Sequence, residues 1–161
     1  EVESMVESAA ENKDELKEKT AKAFKGEWFS AGDMARKDEN GFFQIVDRKD
    51  NMIITGGENV YPSEIEDAVG AHESVRDLAV IGIPDEKWGE AIKAVIVLND
   101  GFTASDDLAK EIKNSVRGKL AGFKVPKTYD FIKDEDMPRT GTGKILHRIL
   151  REKYGKWADE Q

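Results

Sequence analysis

From Glu1 to Phe24 the apolar side chains Val2, Met5, Val6, Ala9, Leu16, Ala23 and Phe24 recur among Glu and Lys residues three or four positions apart. That spacing predicts a solvated helix or helix pair, broken near Asn12-Lys13-Asp14 because Asn and Asp favour caps over helix interiors. Beyond Gly26, the stretches Trp28 to Arg36 and Phe42 to Val46 flank Asp38-Glu39-Asn40-Gly41. An Asn-Gly pair in that setting favours a turn with positive φ, so a β-hairpin is expected.

A second unit is expected to begin near Asp47-Arg48-Lys49-Asp50. Met52-Ile53-Ile54 has the make-up of a short buried strand, Thr55-Gly56-Gly57-Glu58-Asn59 that of a loop. Pro62 to Val69 opens a helix, with Pro in its first turn and acids toward the positive end of the dipole. Val75 to Ile83 and Ala91 to Leu98 are β-branched runs that can pair antiparallel across the loop Pro84 to Gly89. Ser105 is placed to cap a helix in which Leu108, Ile112, Val116 and Leu120 recur every four residues, which buries one face. Thr128 to Ile132 predicts a last strand, Met137 to Gly143 a Gly/Thr loop, and Ile145 to Lys153 a C-terminal helix. The fold class expected is α+β: a β-hairpin, then a short, mainly antiparallel sheet flanked by helices.

Composition narrows the chemistry. The 161 residues carry 33 Asp and Glu against 25 Lys and Arg, a formal charge of −8, with charged residues at 36%. No apolar run approaches the ~18 residues of a membrane span, and no basic tract suits a broad nucleic-acid surface. With no Cys, disulfide scaffolds, thiolate metal sites and cysteine nucleophiles are excluded, and a reducing compartment fits. The first residues are acidic rather than basic then apolar, unlike a signal peptide, and the chain starts at Glu1 rather than Met, so a fragment is expected.

Three glycine-containing loops can bring backbone N–H groups to a ligand. In Ser30-Ala31-Gly32-Asp33, a carboxylate just after a glycine suits two neighbouring hydroxyls, as on a ribose diol, although Gly-Asp is also a common turn pair. Thr55 to Asn59 can line a narrow passage, bind an anion or simply connect two elements. Pro138-Arg139-Thr140-Gly141-Thr142-Gly143-Lys144-Ile145 is like a phosphate loop, but Pro138 stands where the P-loop needs Gly and Ile145 where it needs Ser or Thr. Lys144 on that turn still offers a mobile ammonium for a phosphate or carboxylate oxygen. His72 and His147 lack ligand-spaced acid partners and read as surface or packing residues, so no metal site is expected. Trp28 and Trp157 read as packing residues, whereas Trp88, in a polar loop, offers a stacking surface.

Taken together, these loops resemble the adenylate-forming superfamily, and within it the acyl-CoA synthetases that act on fatty and aryl acids. Trp28 to Asp33 is similar to the family's Trp-Phe-x-Thr-Gly-Asp segment, and Asp47 to Glu66 to its hinge and Gly-Gly-Glu-Asn motif. Phe123-Lys124-Val125-Pro126-Lys127 and Pro138 to Ile145 are similar to its last two motifs. The peptide-synthetase branch differs after the hinge and ends in Asn-Gly-Lys, so the resemblance is to the CoA-ligase branch.

The resemblance implies a two-step ligase: a carboxylic acid attacks ATP to give an acyl-adenylate and pyrophosphate, then the thiol of CoA displaces AMP. It implies that Asp33 holds the ribose hydroxyls, Arg48 contacts the nucleotide, Asp50 is a hinge and Lys144 stabilises charge during adenylation. Gly56 and Gly57 would line the pantetheine passage, with Trp88 stacking near the CoA nucleotide. Residues 1–49 would be the tail of a large adenylation core and 50–161 the mobile C-terminal domain of a cytoplasmic enzyme. The substrates and partners implied are ATP or AMP, CoA, a small carboxylic acid and the missing N-terminal domain, with Mg²⁺ bound mainly by that missing part. Ala31 replaces the family's Thr and removes a hydroxyl, and the upstream phosphate loop and acyl pocket are absent, so the fragment alone is expected to be inactive. A free-standing CoA- or nucleotide-binding module is the alternative, and a structural interaction domain a third reading that four motifs in family order argue against.

Overall fold

The computed structural model describes residues 16–18 and 20–155. The expectations for residues 1–15, including the Asn12-Lys13-Asp14 break, and for Trp157 lie outside them. The chain divides into two compact units, Glu1–Lys49 and Asp50–Gln161.

In the first unit, residues 16–18 and 20–23 are helical. They lead into two small antiparallel hairpins, β1 (Phe24–Lys25) with β2 (Trp28–Phe29), and β3 (Asp33–Lys37) with β4 (Phe43–Arg48). The Asn-Gly hairpin is therefore present, closed by Asp38, whose Oδ1 accepts from the Asn40 and Phe42 N–H groups, with Gly41 at φ 90°. Trp28 and Phe29 do not belong to it. They pair back onto Phe24 and Lys25 through a turn at Gly26, φ 63°, which also takes Phe24 out of the helix. Two-residue strands are too short for any periodicity to announce.

The second unit is a mixed α+β domain. Its five-stranded sheet runs β6 (Glu58–Val60), β5 (Ile53–Thr55), β8 (Gly89–Leu98), β7 (Val75–Asp85), and β9 (Thr128–Ile132) lies parallel on β8. The other pairings are antiparallel, and β7 with β8 forms the long central hairpin. Helices α1 (Pro62–Gly70), α2 (Asp106–Val116) and α3 (His147–Tyr154) flank it. Both faces of β7 and β8 are covered, which is why these strands read as continuous apolar runs rather than alternating ones. Val80, Ile92 and Ile96 pack with Ile65 and Val69 of α1 and Ile112 and Val116 of α2, while Ala79, Ile81, Val95 and Val97 pack with Met137 and Leu150. Pro62 starts α1, and the Ser105 hydroxyl caps α2 by accepting from Leu108 N–H at 3.1 Å.

Several local boundaries differ from expectation, and strands β7 and β8 run on into the loop expected at Pro84 to Gly89. Glu58 and Asn59 are strand, so the Gly56-Gly57 pair is the tip of a β5–β6 hairpin rather than a loop running into a helix. Leu120 lies past the end of α2 yet is still buried, and Ile145 and Leu146 precede α3. One side chain runs against its type: Lys93, 1% exposed, sits in the second core face with its ammonium 3.0 Å from the Asp130 carboxylate of β9.

Tyr129, beside that pair on β9, carries a prediction. Burial pushes its phenol up to about 12, with Arg117 pulling weakly the other way, and its buried Oη meets no protein partner among the described residues. The unfolded phenol ionises near 10, so between these values the folded chain holds a proton that the unfolded chain has lost. Stability present below pH 10 is therefore expected to fall as the pH rises toward 12. Absorbance titration of the phenolates should show a transition displaced upward, and Tyr129→Phe should remove it.

Candidate functional site

The two residues that the resemblance assigns to the nucleotide, Asp33 and Arg48, come together on the first unit. Asp33 and Arg48 are register partners at the open end of the β3–β4 hairpin, with Arg48 Nε 3.7 Å from Asp33 Oδ1. Gly32, φ 78°, makes the approach to β3, and its carbonyl accepts from Lys49 N–H at 2.8 Å. Both side chains are well exposed, so this pair adds little stability and leaves the carboxylate open to a ligand's hydroxyls.

Asp50 stands in the 3-10 turn Lys49–Asn51, where one compact unit gives way to the other. Its side chain is exposed, and its carbonyl accepts from Arg151 Nη1 of α3 at 3.1 Å.

Gly56, Gly57 and Trp88 share one corner of the second unit. The hairpin tip uses Gly56 at φ 61° and Gly57 at φ 84°, a left-handed pair that side-chain-bearing residues enter only with strain. Gly56 N–H donates to the Trp88 carbonyl at 2.8 Å, and a Cβ on Gly56 would lie 2.9 Å from the indole. Trp88 is therefore seated on Gly56, with Lys87 Nζ 4.7 Å from its ring centre. Thr55, Gly56, Glu58 and Trp88 line one cleft of about 410 Å³ with Gly122, Phe123 and Lys127. Phe123 and Lys127, named in the sequence only as part of a motif, are thus cleft residues. Their signal was the lone aromatic and the basic residues around Pro126.

Lys144 occupies a different loop. Arg139 and Ile145 form an isolated antiparallel bridge, Thr140 N–H donates to the Lys144 carbonyl at 2.8 Å, and Lys144 N–H donates to Thr140 Oγ1 at 3.1 Å. Gly143, φ 85°, closes the turn. Arg139 anchors its base, binding the carboxylates of Asp77 and Asp134, and these hydrogen bonds raise its pKa. The Lys144 side chain is exposed, a movable point charge on a fixed turn. His147, just beyond, has its Nε2 3.2 Å from Glu66 Oε1, which also accepts from Val80 N–H, so it ties α3 to α1 and β7. His72 Nδ1 lies 2.8 Å from the Ser74 hydroxyl.

Among the described residues, no group of three or more His, Asp or Glu side chains is placed to hold a metal. No described helix is long and apolar enough to cross a membrane.

Comparison with known proteins places these loops in context. The family model described as AMP-binding enzyme C-terminal domain matches residues 64–144. A feruloyl-CoA synthase from Amycolatopsis sp. is 44% identical over 138 residues, covering 86% of this chain and 27% of that protein. A long-chain-fatty-acid–CoA ligase from Bacillus subtilis (strain 168) is 44% identical over 135 residues, covering 84% of this chain and 23% of its own length. The crystal structure of the ATP-bound RpMatB-BxBclM chimera B1 matches with a TM-score of 0.78 at 40% identity, over 88% of this chain and 28% of the other. The chain thus spans about a quarter of the length of the relatives it matches.

Proposed function

The chain belongs to the AMP-binding enzyme C-terminal domain family, and from that premise we propose that it is the C-terminal part of an AMP-forming acid–CoA ligase. The observation that carries the reading is the order of its loops: Asp33 with Arg48, the Asp50 junction, the Gly56-Gly57 tip against Trp88, and Lys144 on its own turn. In this reading residues 1–49 are the tail of the large adenylation domain and 50–161 the mobile C-terminal domain. Trp28, Phe42 and Phe43, exposed at 82%, 72% and 73%, support it, because a small unit showing that much aromatic surface suits a position covered by more of the same protein.

The chemistry divides between the loops. A carboxylate attacks the α-phosphorus of ATP and pyrophosphate leaves; negative charge shifts onto phosphate oxygens, and the Lys144 ammonium is the group suited to meet it. Asp33 accepts hydrogen bonds from the ribose hydroxyls while Arg48 offers a cation to the nucleotide. In the second step the CoA thiolate attacks the acyl carbonyl carbon and AMP leaves with the bonding pair. The slender pantetheine arm needs a passage without side chains, which Gly56 and Gly57 supply, and Trp88 offers its exposed face for stacking. Mg²⁺ belongs, in this reading, to the missing part, and a cytoplasmic location goes with it.

The test is acid-dependent ATP–pyrophosphate exchange by the full-length parent across short-chain, fatty and aromatic acids, followed by thioester formation with CoA. Exchange with at least one acid is expected, and none from the 161-residue chain alone. A parent without exchange on any acid, but whose 161 residues bind CoA, would favour the free-standing CoA-binding module instead.

A further inference from the structure

Three observations converge on Glu90, a residue with no sequence-level role. The first is a missing rung. β5 meets β8 at the register pair Thr55↔Gly89, and Gly56 N–H donates to the Trp88 carbonyl at 2.8 Å. The same register would send the next N–H, that of Ile54, to the main-chain carbonyl of Glu90. It goes instead to the Glu90 side chain, with Ile54 N 2.6 Å from Oε2. The second is what happens along that edge of β8. β7 fills the other edge throughout, so β5 must leave before β9 can pair from Lys93 onward, and Glu90 is where it leaves.

The third observation is Gly82, a buried glycine inside β7 with an ordinary negative φ. Nothing in its backbone asks for glycine. A Cβ there would lie 2.6 Å from Glu90 Oε1 and 2.9 Å from Cδ, so its absence makes room for the carboxylate.

We infer that Glu90 is a positioning residue for the thioester step: seated over Gly82, its carboxylate replaces one rung of the β5–β8 ladder and fixes the Gly56-Gly57 tip against Trp88. Glu90 does not line the cleft, so it acts through the residues that do. A carboxylate accepting a backbone N–H is a strong, directional bond, and it holds the Ile54 N–H two residues from the Gly56 N–H that already reaches Trp88. The inference rests on the assignment of Gly56, Gly57 and Trp88 to the CoA passage.

The experiment compares Glu90→Ala, Glu90→Gln, Gly82→Ala and the Gly82→Ala/Glu90→Ala pair in the full-length parent. It measures pyrophosphate exchange, thioester formation from preformed acyl-adenylate against CoA concentration, and hydrogen exchange across Ile53 to Gly57. Loss of one charge-assisted bond is expected to raise KM for CoA about tenfold in Glu90→Ala and Gly82→Ala, with adenylation within about twofold of wild type. Hydrogen exchange at Ile54 should accelerate in both. Glu90→Gln keeps an acceptor oxygen and should recover most of the loss, and the double variant should be no worse than either single one, because both remove the same bond. Unchanged KM for CoA with Ile54 still protected, or equal losses in both half-reactions, would overturn the inference. Should Glu90→Ala not fold, Gly82→Ala against Glu90→Gln decides by the same readouts. A wild-type parent with no acid-dependent exchange would defeat the functional reading, and the hydrogen-exchange arm would still decide whether Glu90 holds the hairpin.

Discussion

Lys144→Ala in the full-length parent is expected to slow acyl-adenylate formation by about 10²–10³-fold, the usual effect of removing one preorganised group that stabilises transition-state charge. Thioester formation from a supplied acyl-adenylate should change by less than about fivefold, since only interactions made in a step's own transition state set its rate. The structure supports that asymmetry. The turn from Arg139 to Ile145 is fixed by its own hydrogen bonds and by the Arg139 clamp on Asp77 and Asp134, so truncating Lys144 removes a charge without releasing the loop. Among the described residues the Lys144 ammonium makes no ion pair, so the substitution leaves no partner stranded and Tm should hold. Pre-steady-state measurement of the two half-reactions checks this. Equal losses in both would remove Lys144 from the adenylation role.

What could be read from the sequence was mostly what is local. Pro62 and Ser105 announce helix starts because capping and a fixed φ act within one turn of chain. The runs Val75 to Ile83 and Ala91 to Leu98 announce a buried hairpin because each residue type alone favours it. What escaped depends on partners distant in the chain. Lys93, a charge inside the apolar run Ala91 to Leu98, is explained only once Asp130, on a strand parallel to its own, brings a carboxylate to it. Glu90 gains a role only once Gly82 and Ile54 approach it from two other strands. The glycine was the available signal: a lone Gly in the β-branched run Leu78 to Ile83 marks a close approach. The candidate site was legible at Asp33, Gly56, Gly57 and Lys144 because positive-φ or turn glycines stand beside or within each loop, and such glycines are visible without any tertiary information.

Asp50→Pro in the full-length parent is expected to leave one half-reaction, adenylation in our reading, near wild type and to slow the other by about 10²-fold, the size of effect a misplaced reacting geometry produces. The reasoning starts from backbone geometry. Asp50 lies in a 3-10 turn, whose φ of about −50 to −70° is the range proline itself imposes, so proline suits the φ of position 50. It also disfavours helical torsions at Lys49, which opens the same 3-10 turn, so the freedom of the junction narrows at two consecutive residues. A junction that must adopt a second set of torsions to present another loop is thereby held in one. The residues we assign to the two steps stay untouched: Lys144 on its turn, and Gly56 with Trp88 at the hairpin tip, lie in loops of their own. The carbonyl of residue 50 is kept as well, so the Arg151 contact at 3.1 Å can persist and a general loss of stability is not expected. Asp50→Ala separates the backbone from the carboxylate, since it keeps torsional freedom and should run both steps at close to wild-type rates if the hinge is a matter of φ. Single-turnover rates for each half-reaction decide the matter. A proline variant that runs both steps normally would put the pivot at another residue, and one that loses both while its Tm holds would mean position 50 serves the chemistry rather than the motion between its steps.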